Sequence, residues 1–230
     1  MPNHITNVIR AESPEVLAKI KNAFCSQDHE INFNRLIPMP ELLRSGNSSP
    51  DLEELAELFL GKLPFLEFLK RLGGKAPGGG LESVIRDLKL DNLVTALIER
   101  PVKDLDDESF ELLITYMRCL RKYGHASWYE WARENWGTKW NAYDWTITEE
   151  EIRFDTAWSC PMPIVQKLAE KIPDQFTWDY ADEDIGSNCG QFVIAAGTIT
   201  SPPIVGDPRV FALNLKGWDV EEYFSELEEV

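Results

Sequence analysis

The feature that most limits the possible folds of this chain is an aromatic run at residues 135–145, with the sequence NWGTKWNAYDW. Three tryptophans and one tyrosine stand there among residues that disfavour regular structure: Gly137 ends a helix, and the Asn and Asp side chains favour turns. Buried tryptophans cover large areas, and their N–H groups find a partner. The run therefore predicts a packed loop that joins two parts of the fold and points its polar groups outward.

Length and composition describe a globular protein. The chain has 230 residues, of which 43% are apolar, enough for one sizeable core or a domain with an insertion. No apolar stretch approaches the roughly 20 residues that span a membrane, and no secretory leader is recognisable. The four cysteines are far apart and form no zinc-ligand pair. We expect a cytoplasmic protein with reduced thiols, without a metal site or other cofactor.

The charge is strongly negative and uneven. The net charge is −16, and residues 151–230 hold 15 acidic but only 5 basic side chains. Such a surface repels phosphate backbones, so we expect no direct binding of nucleic acid. The acidity either only keeps the protein in solution or attracts a basic partner, including one that normally holds DNA or RNA.

Hydrophobic patterns outline the first part of the chain. Residues 3–11 are partly alternating and predict a strand. Ser13 and Pro14 begin a helix with an apolar face, and residues 31–38 alternate again. The opening is therefore predicted as β-α-β.

Residues 46–134 read as a helical insertion. Helices are predicted from residue 49, at 81–100 and at 107–123, and a capping box of Ser127 and Glu130 precedes another at 128–136. The glycine-rich stretch 73–80 lacks the pattern of a phosphate-binding loop and predicts a flexible tip.

The closing part is predicted as β-α-β-β. Residues 147–157 are extended, a helix begins at Pro161, and strands at 176–180 and 191–197 form a hairpin across the acidic turn 182–186. A last helix is expected near 219–228. The two halves predict an α+β fold: a split ferredoxin-like sandwich of an antiparallel sheet with helices on one face. Residues 1–45 and 135–230 would form this domain, around the large helical insertion 46–134.

Three segments also carry a family resemblance: MPNH at residues 1–4, NWGTKWNAYD at 135–144, and FDTAWS at 154–159 followed by Pro161. Together they resemble the YubB ferredoxin-like family of plasmids, phages and prophages. The resemblance implies the ferredoxin-like fold and a mobile-element origin, but no activity. Its motif residues are Asn135, Trp136, Gly137, Thr138, Lys139, Trp140 and Asn141. The chain departs from the pattern at Cys160, where the family usually has proline.

The aromatic run has two interpretations. Tryptophans can stack nucleobases, but that mode needs a basic groove, and Lys139 is the only basic residue inside the motif. We therefore expect the run to be structural first, with a binding surface for a protein or ligand as the alternative.

The N-terminus offers the strongest chemical candidate. Removal of the initiator Met would leave Pro2-Asn3-His4, whose terminal amine and imidazole could chelate Cu(II) or Ni(II), or act as a base. We expect instead that His4 makes local hydrogen bonds. A small enzyme that uses Pro2 and His4 is thus the alternative function.

The preferred function is that of a non-enzymatic accessory protein of a mobile element. It would bind and inhibit a basic, nucleic-acid-acting host or defence protein as a nucleic-acid mimic. Clustered carboxylates could also gather Mg²⁺, but the spacing of a calcium loop is absent. The residues expected to contact the partner are the acids of the hairpin turn and the C-terminal helix: Asp179, Asp182, Glu183, Asp184, Glu221, Glu222, Glu226, Glu228 and Glu229.

Overall fold

The computed structural model describes residues 3–26, 30–44, 48–61, 102 and 104–228. Contacts divide the chain into two compact units. One comprises Met1–Met39 and Trp131–Val230, and the other comprises Pro40–Glu130. The predicted helices and tip between residues 62 and 101, together with Pro2, His29 and Glu229, lie outside the described residues.

The described helices and strands are numbered here in chain order. They are β1 (His4–Arg10), α1 (Pro14–Phe24), α2 (Glu41–Arg44), α3 (Pro50–Phe59), α4 (Asp107–Tyr123), α5 (Trp128–Asn135), β2 (Tyr143–Ile147), β3 (Glu151–Ala157), α6 (Met162–Lys171), β4 (Phe176–Asp182), β5 (Cys189–Ala195), β6 (Thr198–Thr200), α7 (Pro208–Lys216) and α8 (Val220–Glu228).

The first unit is built on a six-stranded antiparallel sheet in the order β2-β3-β1-β4-β5-β6. The first strand, β1, lies near the centre, where Ile9 stands opposite Ile152 of β3 and Trp178 of β4. This arrangement confirms the predicted α+β, ferredoxin-like fold. It also confirms the hairpin of β4 and β5.

One face of the sheet carries the aromatic core. Phe24 of α1 packs against Phe154 of β3 and Trp178 of β4, with ring centroids 5.6 and 6.2 Å away. A single polar residue of β1 lies in this core: Asn7 accepts a hydrogen bond from Trp178 Nε1 and donates one to Thr156 Oγ1. Every buried polar group of this cluster thus has a partner, as a buried amide requires.

The other face is polar except where α7 lies on it. Side chains alternate along a strand, so Val8 points away from Ile9. Val8 and Ala181 pack there with Ala212 and Leu215 of α7. The remaining part of this face carries charged and polar side chains, and the candidate site includes several of them.

The second unit has a small core of its own. Leu52 and Leu55 of α3 pack with Leu113 and Tyr116 of α4. The Tyr116 hydroxyl accepts a hydrogen bond from the backbone N–H of Ser49, just before α3. The predicted end of α4 is confirmed at Gly124, which adopts the left-handed conformation with φ of 86°.

Several sequence predictions need correction. Residues 31–38 are not a strand: Ile31 makes an isolated bridge with Cys25, and Phe33–Arg35 is a 3₁₀ helix. The extended stretch predicted at 147–157 is confirmed for β3, but Ile147 is the last residue of a separate strand, β2, which starts at Tyr143 within the aromatic run. The short strand β6 and the helix α7 were not predicted.

None of the helices in the described part of the chain has both the length and the apolarity needed to cross a bilayer.

Candidate functional site

The aromatic run is fixed first by Trp136, at the end of α5. Its indole is 4% exposed, and Nε1 donates a hydrogen bond of 2.9 Å to the carbonyl oxygen of Ile37. The rings of Phe33 and Trp131 meet it edge-on, at 5.8 and 5.5 Å. Trp136 therefore joins the segment after α1 to the start of the run, which confirms the predicted packed loop.

Two polar side chains of the run, Thr138 and Asn141, point inward, which contradicts the predicted outward orientation for them, whereas Asp144 is exposed as predicted. Asn141 accepts a hydrogen bond from the Phe33 N–H and donates one to the Ile31 carbonyl, both at 2.9 Å. A single amide thus satisfies a donor and an acceptor of a segment that makes few sheet hydrogen bonds. These bonds are the physical reason that residues 31–33 need no neighbouring strand.

A second set of hydrogen bonds joins the run to the loop after β3. Thr138 Oγ1 donates to the Ala157 carbonyl at 2.7 Å, and Ser159 Oγ donates to the Gly137 carbonyl. Gly137 has φ of 76°, and a Cβ atom there would lie 2.7 Å from Pro163 Cδ. The two segments of the sequence motif are therefore held against each other.

This frame presents a surface group that we call the aromatic–cation patch: Arg133 and Trp158, which are exposed, and Lys139 and Trp140, which are half-buried. The Lys139 ammonium lies 4.5 Å from the ring centroid of Trp140 and 5.0 Å from that of Trp158. The Arg133 guanidinium lies 5.9 Å from the Trp158 ring. Trp158 is 38% exposed and has φ of 77°, a conformation rare for a bulky side chain.

The candidate base His4 lies beside this patch. Its Nδ1 atom is 2.8 Å from the Tyr143 hydroxyl, and the Tyr143 ring meets Trp140 edge-on at 6.4 Å. Burial raises the pKa of Tyr143 to about 12. His4 therefore has a hydrogen-bond partner as predicted, but the partner is 139 residues away in sequence and not local, and it engages the nitrogen that a terminal chelate would use.

A lysine and an aspartate follow on the polar face of the sheet. Lys216, at the end of α7, donates to Thr6 Oγ1 at 3.2 Å. Burial lowers the pKa of the Lys216 ammonium, although the carboxylates of Asp155, Asp182 and Glu183 oppose the shift. Burial likewise raises the pKa of Asp155, against a hydrogen bond from Thr6 and the charge of Lys216. These groups tie α7 to the sheet.

Two of the predicted contact acids are structural. Asp179 is 5% exposed; its carboxylate accepts from Gln191 Nε2 at 2.7 Å and pairs with Arg10 at 2.9 Å. Asp182 is 6% exposed and accepts from the side chains of Asn3 and Asn188. Their burial leaves little carboxylate surface for a partner, so the prediction that these two acids contact a partner is wrong.

The remaining acids predicted to contact a partner come from two segments, and both segments pack against Arg209. A Cβ atom at Gly186, in the turn after β4, would lie 2.6 Å from Arg209 Cγ, and the Arg209 guanidinium lies 4.7 Å from the Phe224 ring of α8. The turn and α8 therefore pack on the same side chain of α7. We call the exposed acids of these two segments the acidic surface: Glu183, Asp184, Glu221, Glu222 and Glu226. Glu228 ends α8, but its side chain lies outside the described residues.

Residues that could hold a metal ion are not clustered in the described ranges, where no group of three or more His, Cys, Asp or Glu side chains has a suitable arrangement.

Comparison with known proteins supports the fold. Residues 135–204, under a third of the chain, match the family model described as "Ferredoxin-like domain in Api92-like protein". A crystal structure of the protein api92 from Yersinia pseudotuberculosis is 10% identical, over 90% of this chain and 98% of that one, with a TM-score of 0.37. A TM-score this low supports no conclusion about function. The comparison with curated proteins gives no match.

The resemblance predicted from the motifs is thus confirmed as far as a ferredoxin-like domain family. The YubB name and the mobile-element origin stay predictions.

Sequence reasoning missed the contribution of Arg133 and Trp158 to the aromatic–cation patch. Both are close in sequence to the motif segments, and FDTAWS already pointed to Trp158. The signal that could have found them is the pairing of the two motif segments, because a loop that binds another loop brings their exposed side chains together.

Proposed function

We propose that this chain is a non-enzymatic interaction protein whose acidic surface binds a basic partner protein. The observation that carries the proposal is the convergence of two acidic segments on Arg209 of α7. Glu183 and Asp184 come from the turn after β4, and Glu221, Glu222 and Glu226 come from α8. Segments that are far apart in sequence thus contribute to one negative area.

The charge of this area is offset only in part, by the Lys216 ammonium, whose pKa burial lowers and the Glu183 carboxylate raises. In the part of the chain that the structure describes, none of the five side chains forms a salt bridge. Arg209, the cation at its centre, pairs with Asp207 at 2.7 Å. A field of one sign speeds association with an oppositely charged surface and weakens as salt screens it.

The class of partner follows from the charge and from the motif resemblance. A basic surface that normally holds DNA or RNA is complementary to such an area, and the resemblance points to plasmids, phages and prophages. The proposed role is therefore that of a cytoplasmic accessory protein of a mobile element, which inhibits a nucleic-acid-acting host or defence protein as a nucleic-acid mimic.

The test compares two matched variants with the wild type. The first neutralises the acidic surface by Glu183→Gln, Asp184→Asn, Glu221→Gln, Glu222→Gln and Glu226→Gln. The second neutralises five exposed acids elsewhere: Glu12→Gln, Glu15→Gln, Asp144→Asn, Glu149→Gln and Glu150→Gln. Proteins that co-purify from host lysate are identified at about 50 and 500 mM salt, with and without added DNA.

The proposal expects basic, nucleic-acid-binding proteins that the first variant loses and the second retains. Binding should fall with salt, and DNA should compete. Unchanged partners and unchanged salt dependence in the first variant would mean that the acids only solubilise the fold.

The alternative function, a small enzyme that uses Pro2 and His4, stays a prediction. It depends on Pro2, which lies outside the described residues, and the described geometry engages His4 with Tyr143.

A further inference from the structure

The aromatic–cation patch is a second surface with different chemistry. It combines two indole rings with two cationic groups in a chain whose net charge is −16. The proposed function above does not use it. A built surface that opposes the charge of the whole protein needs an explanation of its own.

The patch is held in place by hydrogen bonds on both sides of Trp158. The Trp158 N–H donates to the Asn3 carbonyl at 2.9 Å, and Thr156 Oγ1 donates to the Ser159 carbonyl at 2.8 Å. The loop is bonded in turn to Gly137 by Ser159. These bonds keep Trp158 in its rare backbone conformation while 38% of the residue remains exposed. Strain that the surroundings maintain is a recurrent feature of ligand sites.

We propose that the aromatic–cation patch binds one mononucleotide, with the base stacked on Trp158 and the phosphate bound by Lys139 and Arg133. An indole face stacks any nucleobase, and guanidinium and ammonium groups are the usual ligands of phosphate. Lys139 and Arg133 lie over the Trp158 ring, 5.0 and 5.9 Å from its centroid, so both cations are within reach of a phosphate whose base stacks on that ring.

Binding exchanges one set of contacts for a stronger set. Arg133 is exposed and Lys139 is half-buried, and their cation–π contacts with Trp158 are weaker than charge-assisted hydrogen bonds to phosphate. A phosphate therefore draws the cations from the Trp158 face, and the base takes their place. Trp140 then remains as a second aromatic wall, backed by Tyr143.

The overall charge favours a mononucleotide over a strand. One nucleotide places its charge at the two cations. A longer strand would carry further phosphates across a protein whose 39 acidic side chains outnumber its 23 basic ones. An acidic peptide would use the cations but leave the indole faces without a stacking partner.

The test titrates the full chain with AMP by calorimetry at about 50 mM salt, and follows the indole N–H resonances by NMR. Adenosine and ribose 5-phosphate supply the base and the phosphate separately. We expect saturable AMP binding, weaker binding of either half, and a shift of the Trp158 resonance. Trp158→Asn should weaken binding about tenfold or more, since one stacked base accounts for roughly 5- to 150-fold. Asparagine is chosen because it tolerates a positive φ.

Matched variants separate the site from general effects. Trp145 is 37% exposed, like Trp158, so Trp145→Thr controls for loss of an exposed indole. Lys167→Gln on α6 controls for the double variant Arg133→Gln and Lys139→Gln. Both controls should bind AMP as the wild type does. The double variant should bind AMP about tenfold more weakly or worse. This second measurement keeps the test valid if Trp158→Asn fails to fold.

Several outcomes would overturn the proposal. The first is an absence of saturable AMP binding, and the second is an equal loss of AMP affinity in the Trp145→Thr control. The third is tighter binding of a 15-nucleotide thymidine strand than of thymidine monophosphate. The fourth is displacement of AMP by hexaglutamate. The third would assign the patch to strands, and the fourth to acidic peptides.

Discussion

The three tryptophans of the aromatic run differ in burial, so their substitution should affect the free energy of unfolding to different extents. Trp136 is 4% exposed and hydrogen-bonded, Trp140 is half-buried, and Trp145 is 37% exposed on β2. A sequence that places three tryptophans in eleven residues does not by itself say which one is in the core. The structure assigns the anchoring role to Trp136.

We expect Trp136→Ala to lower the free energy of unfolding by about 3–5 kcal/mol, because it leaves a large cavity and an unpaired Ile37 carbonyl. Trp145→Ala should change it by only about 0.5 kcal/mol. Denaturant unfolding of both variants measures the difference. Equal losses would show that the run is held by something other than the Trp136 indole.

Tyr143 should make the free energy of unfolding depend on pH in the alkaline range. The folded pKa of Tyr143 is about 12, above its ordinary value of 10.0, because the phenol is buried. Between these values the unfolded chain releases the proton that the native protein keeps, so the free energy of unfolding should fall as pH rises from 10 to 12. Tyr143→Phe should reduce this fall, as measured by unfolding at several pH values.

Tyr223→Phe, on α8, controls for the loss of any phenol. A steeper fall with pH in Tyr143→Phe than in the wild type would contradict the prediction.

The sequence predicted the role of some residues of the candidate site and not of others. The packing of Trp136 followed from the composition of the run. The exposure of Trp158 did not, because it depends on a positive φ and on hydrogen bonds between distant residues: the Trp158 N–H donates to the Asn3 carbonyl, and Ser159 Oγ donates to the Gly137 carbonyl. No local pattern encodes such long-range bonds.

Among the elements, the turn between α5 and the sheet is constrained most tightly at Gly137. Its φ of 76° disfavours any side chain, and a Cβ atom would also lie 2.7 Å from Pro163 Cδ. Gly217, after α7, has φ of 73°, but a Cβ atom there would meet nothing within 4 Å. Both glycines therefore need a positive φ, but only at Gly137 would a side chain also clash with a neighbour.

We expect Gly137→Ala to destabilise the fold by about 2–4 kcal/mol, and Gly217→Ala by about 1 kcal/mol. The difference measures the contact with α6, and thermal unfolding of the two variants gives it. Equal effects would mean that Pro163 moves aside without cost.

Element prediction succeeded where the local pattern agreed with the tertiary contacts. The alternation of β1, the proline start of α1 and the stripe of α6 were all confirmed. Residues 31–38 alternate too, but Asn141 takes up the hydrogen-bonding groups of Ile31 and Phe33. The helix α7 was missed because its buried residues, Ala212, Leu213 and Leu215, follow a region rich in proline and glycine.

For the whole molecule, fold and charge carry different information. The ferredoxin-like sheet accounts for the core but specifies no chemistry, because one fold supports many functions. The two candidate surfaces instead come from side chains on loops and on the helices α5 and α8. They also oppose each other in sign: the acidic surface follows the net charge of −16, and the aromatic–cation patch departs from it.

Repulsion among the acidic side chains, at a net charge of −16, should lower the melting temperature at low salt. Exposed carboxylates that lack a nearby cation destabilise the compact state, and salt screens their repulsion. Raising salt from about 20 to 200 mM should therefore raise the melting temperature, by roughly 1–4 °C. The variant with a neutralised acidic surface should melt higher than the wild type at low salt and respond less to salt, whereas a fall in melting temperature with salt would show that ion pairs such as Arg10–Asp179 outweigh the repulsion.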